Sequence, residues 1–198
     1  MINSLASVFT SFGLSSSAGL NAYLPLLIVA LTARFTNLIE LRPPFDWLTN
    51  PWVIGVLVVL LLIETVADKV PVVDHANDVI QTVVRPAAGA ILFAANSNAI
   101  SDIHPAFATV CGLLLAGSVH ATKATLRPVV TVTTGGLGNP VVSTVEDIIA
   151  IVVSILSILV PVFTFIALMV FFVYAFRWWR RRRANKVADQ SITPIGSQ

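Results

Sequence analysis

The chain is short of charge. Only 11% of its 198 residues are Asp, Glu, Lys or Arg, against roughly 25% in an average soluble domain. A chain of this length makes about one domain, and one so poor in charge cannot cover itself with groups that water solvates. That scarcity excludes a disordered protein, a nucleic-acid-binding domain and most soluble enzymes. Cysteine is nearly absent too. Cys111 is the single one, so no internal disulfide can form and a secreted disulfide scaffold is excluded. Set in an apolar run, Cys111 reads as a small buried hydrophobe. Catalytic signatures are also missing: there is no nucleophile elbow, phosphate loop, zinc-protease motif or two-histidine zinc spacing. No catalytic residue, metal or cofactor is assigned.

What remains is apolar. Hydrophobic residues make up 56% of the chain and the mean hydropathy is +0.87, which is the composition of an integral membrane protein. No charge occurs at 1–33, 47–63, 86–101, 103–122 or 148–176. A bilayer-crossing helix needs about 20 mostly apolar residues. The expected fold is therefore an all-α polytopic bundle of about five spans, at 16–33, 52–68, 76–95, 105–122 and 145–177. One transmembrane domain covers 1–183, and 184–198 reads as a disordered tail.

Two spans are irregular. Gly13-Leu14-Ser15-Ser16-Ser17-Ala18-Gly19 is poor helix sequence. It predicts a short re-entrant or interfacial helix at 3–12, a break marked by Ser15, Ser16, Ser17, Gly19 and Asn21, and a second helix from about 19. The last span, at 1.5 Å per residue, is about 50 Å long and exceeds a hydrocarbon core of about 30 Å. It has to tilt, kink at Pro161 or project from the bilayer.

Five of the twelve basic residues, Arg177 and Arg180 to Arg183, follow the last apolar run beside Trp178 and Trp179. This is an aromatic anchor with a basic stop, and the positive-inside rule sets the C-terminus in the cytoplasm. The same run should draw anionic lipids of the inner face.

The chain also matches itself. At an offset of 62, Asn77-Asp-Val-Ile-Gln-Thr-Val-Val-Arg85 lies over Asn139-Pro-Val-Val-Ser-Thr-Val-Glu-Asp147. Two units follow, each a helix, a polar loop with a lysine at its start, then a helix opening on Asn-x-Val. Weak repeats of this kind build many transporters. Arg85 aligns with Asp147, which suggests an ion pair across a pseudo-twofold axis. The expected loops lie at 69–76 and 123–144.

The scarce ions are the candidate site. Glu64 and Asp68 share a helix face. Gln81, Arg85 and Ala88 continue a stripe from Asp78, and Ser143, Asp147, Ala150, Ser154 and Ser157 form another. With Lys69, His120, Lys123, Arg127 and Glu146, these residues can line a polar cavity for a substrate or ion. The plain alternative is that charges at helix ends solvate or pair at headgroup level.

Several of these blocks resemble a known family. Gly19-Leu-Asn-Ala-Tyr-Leu-Pro25, Asp68-Lys69-Val-Pro71, Arg85-Pro86-Ala-Ala-Gly89, His120-Ala-Thr-Lys123 through Arg127, and Asn139 to Asp147 are similar to the recurrent blocks of an uncharacterised bacterial integral membrane family, domain of unknown function 4126. The resemblance spans about residues 10–178 and implies kinship of fold and location without an activity. The family often carries a basic residue at Asn21 and a Ser-Pro-Glu-Pro run at 134–138, where this chain differs.

The leading expectation is a small inner-membrane protein that moves or binds a polar, ionic or amphiphilic solute. The second is a non-catalytic partner subunit, its small-residue faces packing in a homo-oligomer or a larger membrane complex. The third and weakest is a membrane enzyme acting on lipid.

Overall fold

The computed structural model describes residues 2–41, 43–67, 71–97 and 104–190. The fold is all-helical, with α1 at Ile2–Ala18, α2 at Tyr23–Phe35, a 3₁₀ turn at Phe45–Thr49, α3 at Pro51–Ala67, α4 at Pro71–Ser97, α5 at Pro105–Thr134, α6 at Asn139–Leu159 and α7 at Pro161–Gln190. Among the described residues, three stretches are long and apolar enough to cross a membrane: Val79–Asn96, Pro105–Thr134 and Asn139–Leu159. Tyr23–Phe35, Pro51–Ala67 and Pro161–Tyr174 are shorter apolar helices.

The first helix corrects the sequence reading. Ser15, Ser16, Ser17 and Ala18 are helical, and α1 runs unbroken to Ala18; the break comes at Gly19–Ala22 instead. Low helix propensity is a weak prior that packing overrides. Ser11 and Ser16 give their hydroxyl protons to the carbonyls of Ser7 and Phe12 one turn back. Ser15 and Ser17 reach across to the carbonyls of Gly89 and Ala150, each at 2.8 Å. Small hydroxyl side chains thus let neighbours approach on several sides. As a result α1 is the hub of the bundle, packed on α2, α4, α5, α6 and α7.

The chain folds back at the break. Thr10 bonds the carbonyl of Ser157, Ser17 that of Ala150, and Asn21 the carboxylate of Asp147. Ascending α1 therefore means descending the numbering of α6, so the two are antiparallel. A cavity of about 110 Å³ brings Leu38, Ile39 and Glu40, just past α2, beside Ser7 and Thr10 of α1. Helices α1 and α2 are thus a hairpin whose tip is Gly19–Ala22. Phe165 of α7 stacks on Phe9 at 4.4 Å and meets Phe12 edge-on. Helix α7 therefore carries the descent of α6 onward past an interruption at Val160, so the single helix expected over 145–177, which had to tilt, kink at Pro161 or project, is two helices that part beside Pro161.

Helices α4 and α5 form the tightest pair. A Cβ on Gly112 would run into the Gly89 carbonyl and stand 2.7 Å from Phe93 Cβ and 2.8 Å from Ala90 Cα. Where lipid is the solvent, apolar burial does not drive helices together, and close backbone approach at small residues does. The outer surfaces of α4, α5 and α6 carry the large apolar side chains, among them Val83, Leu114, Val129 and Ile155.

Gly112→Val is expected to destabilise the bundle by about 1–3 kcal/mol or more, the usual cost of overpacking. Gly55→Val, where an added Cβ meets nothing within 4 Å, is expected to stay within about 0.5 kcal/mol of wild type. Thermal unfolding of both variants in detergent checks this; equal midpoints would refute the close contact of α4 with α5.

Candidate functional site

Arg85 sits halfway along α4 and is fully buried, with 0% of its surface exposed. Its Nη2 donates to Glu64 Oε1 of α3 at 2.9 Å, and Glu64 is itself 1% exposed. Its Nη1 lies 3.1 Å from His120 Nδ1 of α5. The other ring nitrogen of His120 lies 3.2 Å from Thr82 Oγ1. Gln81, one turn from Arg85 on α4, is buried beside them. Taking an ion pair out of water is expensive, and only close pairing with further hydrogen bonds offsets the cost. The network is not saturated: Gln81 Oε1 and Arg85 Nε are buried without a hydrogen-bond partner among the described residues. Each such atom forfeits about 1–3 kcal/mol.

A second group lies on α5 and α6. Lys123 Nζ is 2.8 Å from Glu146 Oε2, and Arg127 Nη2 is 3.7 Å from the same oxygen. Lys123 and Arg127 are both 5% exposed. Lys123 also donates to the carbonyl of Leu20 at 3.1 Å, just past the C-terminal end of α1. The carbonyl end of a helix carries partial negative charge and favours a cation.

The hairpin tip stands against α5 and the second group. Gly19 is pressed against Ala116 and Val119 of α5, where a Cβ would stand 2.5 Å from the Ala116 carbonyl oxygen. Asn21 is 1% exposed. Its Oδ1 accepts from the backbone N–H of Tyr23 at 3.1 Å and of Leu24 at 3.0 Å, which caps α2. Its Nδ2 donates to Asp147 Oδ1 at 2.9 Å. The break therefore meets each helix end with the opposite sign: an ammonium on the Leu20 carbonyl just past the end of α1, and a carboxylate, relayed by an amide, beside the N–H groups of α2.

Of the expected site residues, the structure brings Glu64, Arg85 and His120 into one cluster and Lys123, Arg127 and Glu146 into a second. Asp147 joins Asn21. Asp68 and Lys69 lie outside the described residues, as does the side chain of Asp78. Two expectations are corrected. Arg85 turns to Glu64 and His120, not to Asp147, because the tip of the α1–α2 hairpin stands against α6 and supplies Asn21 to that carboxylate. Lys123 and Arg127 do not stand on a loop: α5 continues to Thr134 and carries Pro128 within it, so both cations are on a buried helix face. Of the two aligned stretches, Asn139 opens α6, while α4 opens at Pro71, ahead of Asn77. Of the two stripes, Gln81, Arg85 and Ala88 are buried, and so are Ser143, Ala150, Ser154 and Ser157, while Asp147 is half-buried and the side chain of Asp78 lies outside the described residues.

Sequence reasoning missed Thr82. Its signal was available, since Thr82 is three residues before Arg85 and on the same helix face. Among the described residues no group of three or more His, Cys, Asp or Glu side chains could hold a metal ion.

Asn21→Ala removes both the cap and the bond to Asp147. The expected loss is about 1–2 kcal/mol for the cap alone, with Asn21→Asp keeping the cap but setting two carboxylates together. Unfolding of the two variants, with the Asp form more sensitive to rising pH, checks the arrangement; an Ala variant as stable as wild type would refute it.

No similar protein was found among the curated proteins or the solved structures. A family model matches residues 8–181, from inside α1 to the basic end of α7. That range takes in the hairpin tip, both ionic groups and the close contact of α4 with α5, and the chain belongs to the family described as Domain of unknown function (DUF4126).

Proposed function

We propose that this protein is a multi-pass inner-membrane protein that binds and moves a polar, ionic or amphiphilic solute, and that the hairpin tip with its two ionic groups is the binding site. The observation that carries this reading is the fully buried Arg85–Glu64 pair beside a broken helix. Ionisable groups within a membrane are expensive and mark solute or ion paths by default. Broken helices offer backbone ends to solutes at the same depth in many transporters. In this reading α1 and α2 are a re-entrant hairpin entering from the side where α7 leaves. Its tip stands against α5 and α6.

The roles divide by charge. Glu64, Asp68 and Asp147 suit proton or cation coupling. Lys69, Arg85, Lys123 and Arg127 suit an anionic head group. The basic end of α7 holds the C-terminus in the cytoplasm and attracts anionic lipids by about 1 kcal/mol per basic residue near the surface. A non-catalytic subunit role predicts different behaviour, because its ions would serve assembly alone.

Purified protein in liposomes, offered a panel of cations, anions, protons and lipid phosphates, tests this. Saturable binding or flux of at least one member is expected, reduced about tenfold by Lys123→Gln, the loss of one charge-assisted contact. No binding and no flux across the panel, together with stoichiometric unrelated proteins on native purification, would replace this reading with the subunit one.

A further inference from the structure

The hydrogen bonds around His120 assign its tautomer. An arginine side chain only donates, so His120 Nδ1, 3.1 Å from Arg85 Nη1, is the acceptor. A neutral imidazole then carries its proton on Nε2, which donates to Thr82 Oγ1 at 3.2 Å. Both nitrogens of a protonated imidazole are donors. A proton arriving at Nδ1 would therefore aim an N–H, on a cationic ring, at the N–H groups of Arg85, and the contact would be lost. Arg85 is held on its other side by Glu64, so a guanidinium released from His120 has its carboxylate to turn towards.

From this geometry we propose that His120 is a proton-binding switch: a proton taken up at Nδ1 detaches Arg85 from α5 and passes it wholly to Glu64 of α3. Its chemical class of ligand is the proton. The inference deepens the solute reading by naming the coupling residue of that site, and it rests on the cluster being reachable by protons.

The charged and titratable groups around the switch come from every element near it. Helix α4 supplies Arg85; the side chain of Asp78, one turn before Thr82, lies outside the described residues. Glu64 comes from α3 and Tyr23 from α2. Lys123 stands three residues along α5 itself, tied to Leu20 and Glu146 of α6. Helix α1 carries no titratable side chain. A cationic His120 would thus stand near Arg85 and Lys123. The nearest described carboxylate on the Arg85 side is Glu64, already bound to that guanidinium. One side chain, Arg85, links α3 to α5 across this point, so its release loosens the tie between those helices without unfolding either.

The switch has a readout that does not need transport. In full-length protein in lipid nanodiscs, labelled on histidine and arginine nitrogens, NMR spectra are recorded from about pH 8 to about pH 5, the range in which histidine changes charge. At the alkaline end the imidazole of His120 should show the Nε2–H tautomer. Towards the acid end its signals should move, and the Arg85 guanidinium signals should move with the same midpoint. His120→Asn keeps an acceptor for Arg85 and takes up no proton, so its Arg85 signals should not respond over this range. An Nδ1–H tautomer, an imidazole that does not titrate, a titration that leaves Arg85 unmoved, or a His120→Asn protein whose Arg85 signals still respond would each overturn the switch. If the signals move as expected while no solute in the liposome panel binds or crosses, the switch stands and the solute reading fails. Flux with static Arg85 signals would uphold the solute reading and overturn the switch.

Discussion

The bundle is organised around one guanidinium. Arg85 is fully buried in a chain whose outer surface is apolar. A buried cation must be paired and hydrogen-bonded or the fold is lost. That requirement draws Glu64 from α3 and His120 from α5 to the same point on α4. Three helices from separate parts of the chain are thereby brought into register by polar contacts, in a setting where apolar side chains gain little by touching one another rather than lipid.

The hairpin of α1 and α2 solves a related problem. A helix that stops inside a bundle leaves unpaired carbonyls at one end and unpaired N–H groups at the next. Backbone N–H groups of the turn take the carbonyls of Ser16 and Ser17, Lys123 takes that of Leu20 just beyond them, and Asn21, with Asp147 behind it, answers the N–H groups. Small side chains make this possible. Ser15 and Ser17 bond across to α4 and α6, and Gly19 lets the turn lie against α5. The polar residues of the tip therefore share one neighbourhood with the ionic groups of α5 and α6, although more than a hundred residues separate them in sequence.

Much of this is legible in the sequence. Runs without charge locate the apolar helices, because length and hydropathy alone decide what lipid tolerates. That the last apolar stretch cannot be one straight crossing follows from its length, and the fold breaks it beside Pro161. The scarcity of ions singles out Glu64, Arg85, His120, Lys123 and Glu146 in the sequence, and the fold gathers them into two groups, one around Arg85 and one around Glu146. What the sequence hides is pairing. Arg85 aligns with Asp147 in the self-match, but the partner it takes is decided by which helix stands between them, and that is tertiary. The serine run hides its helix for the same reason: propensity argues for a break at 15–17, and contacts made with Gly89 and Ala150 keep the helix going to Ala18. The sequence alone sets Lys123 and Arg127 on a polar loop, whereas α5 continues past them to Thr134 and Glu146 and Leu20 hold Lys123 in the bundle.

If the charges cooperate in a single buried centre, Glu64 and Arg85 must depend on one another. A double-mutant cycle of Glu64→Gln and Arg85→Met, read by unfolding in detergent, tests this most directly. Each single change should cost about 3–5 kcal/mol, since it strands the other partner in a buried site. The double variant should cost far less than the sum, giving a coupling of about 2 kcal/mol or more. Costs that simply add would mean that the two side chains act independently, and a shared buried centre would be contradicted.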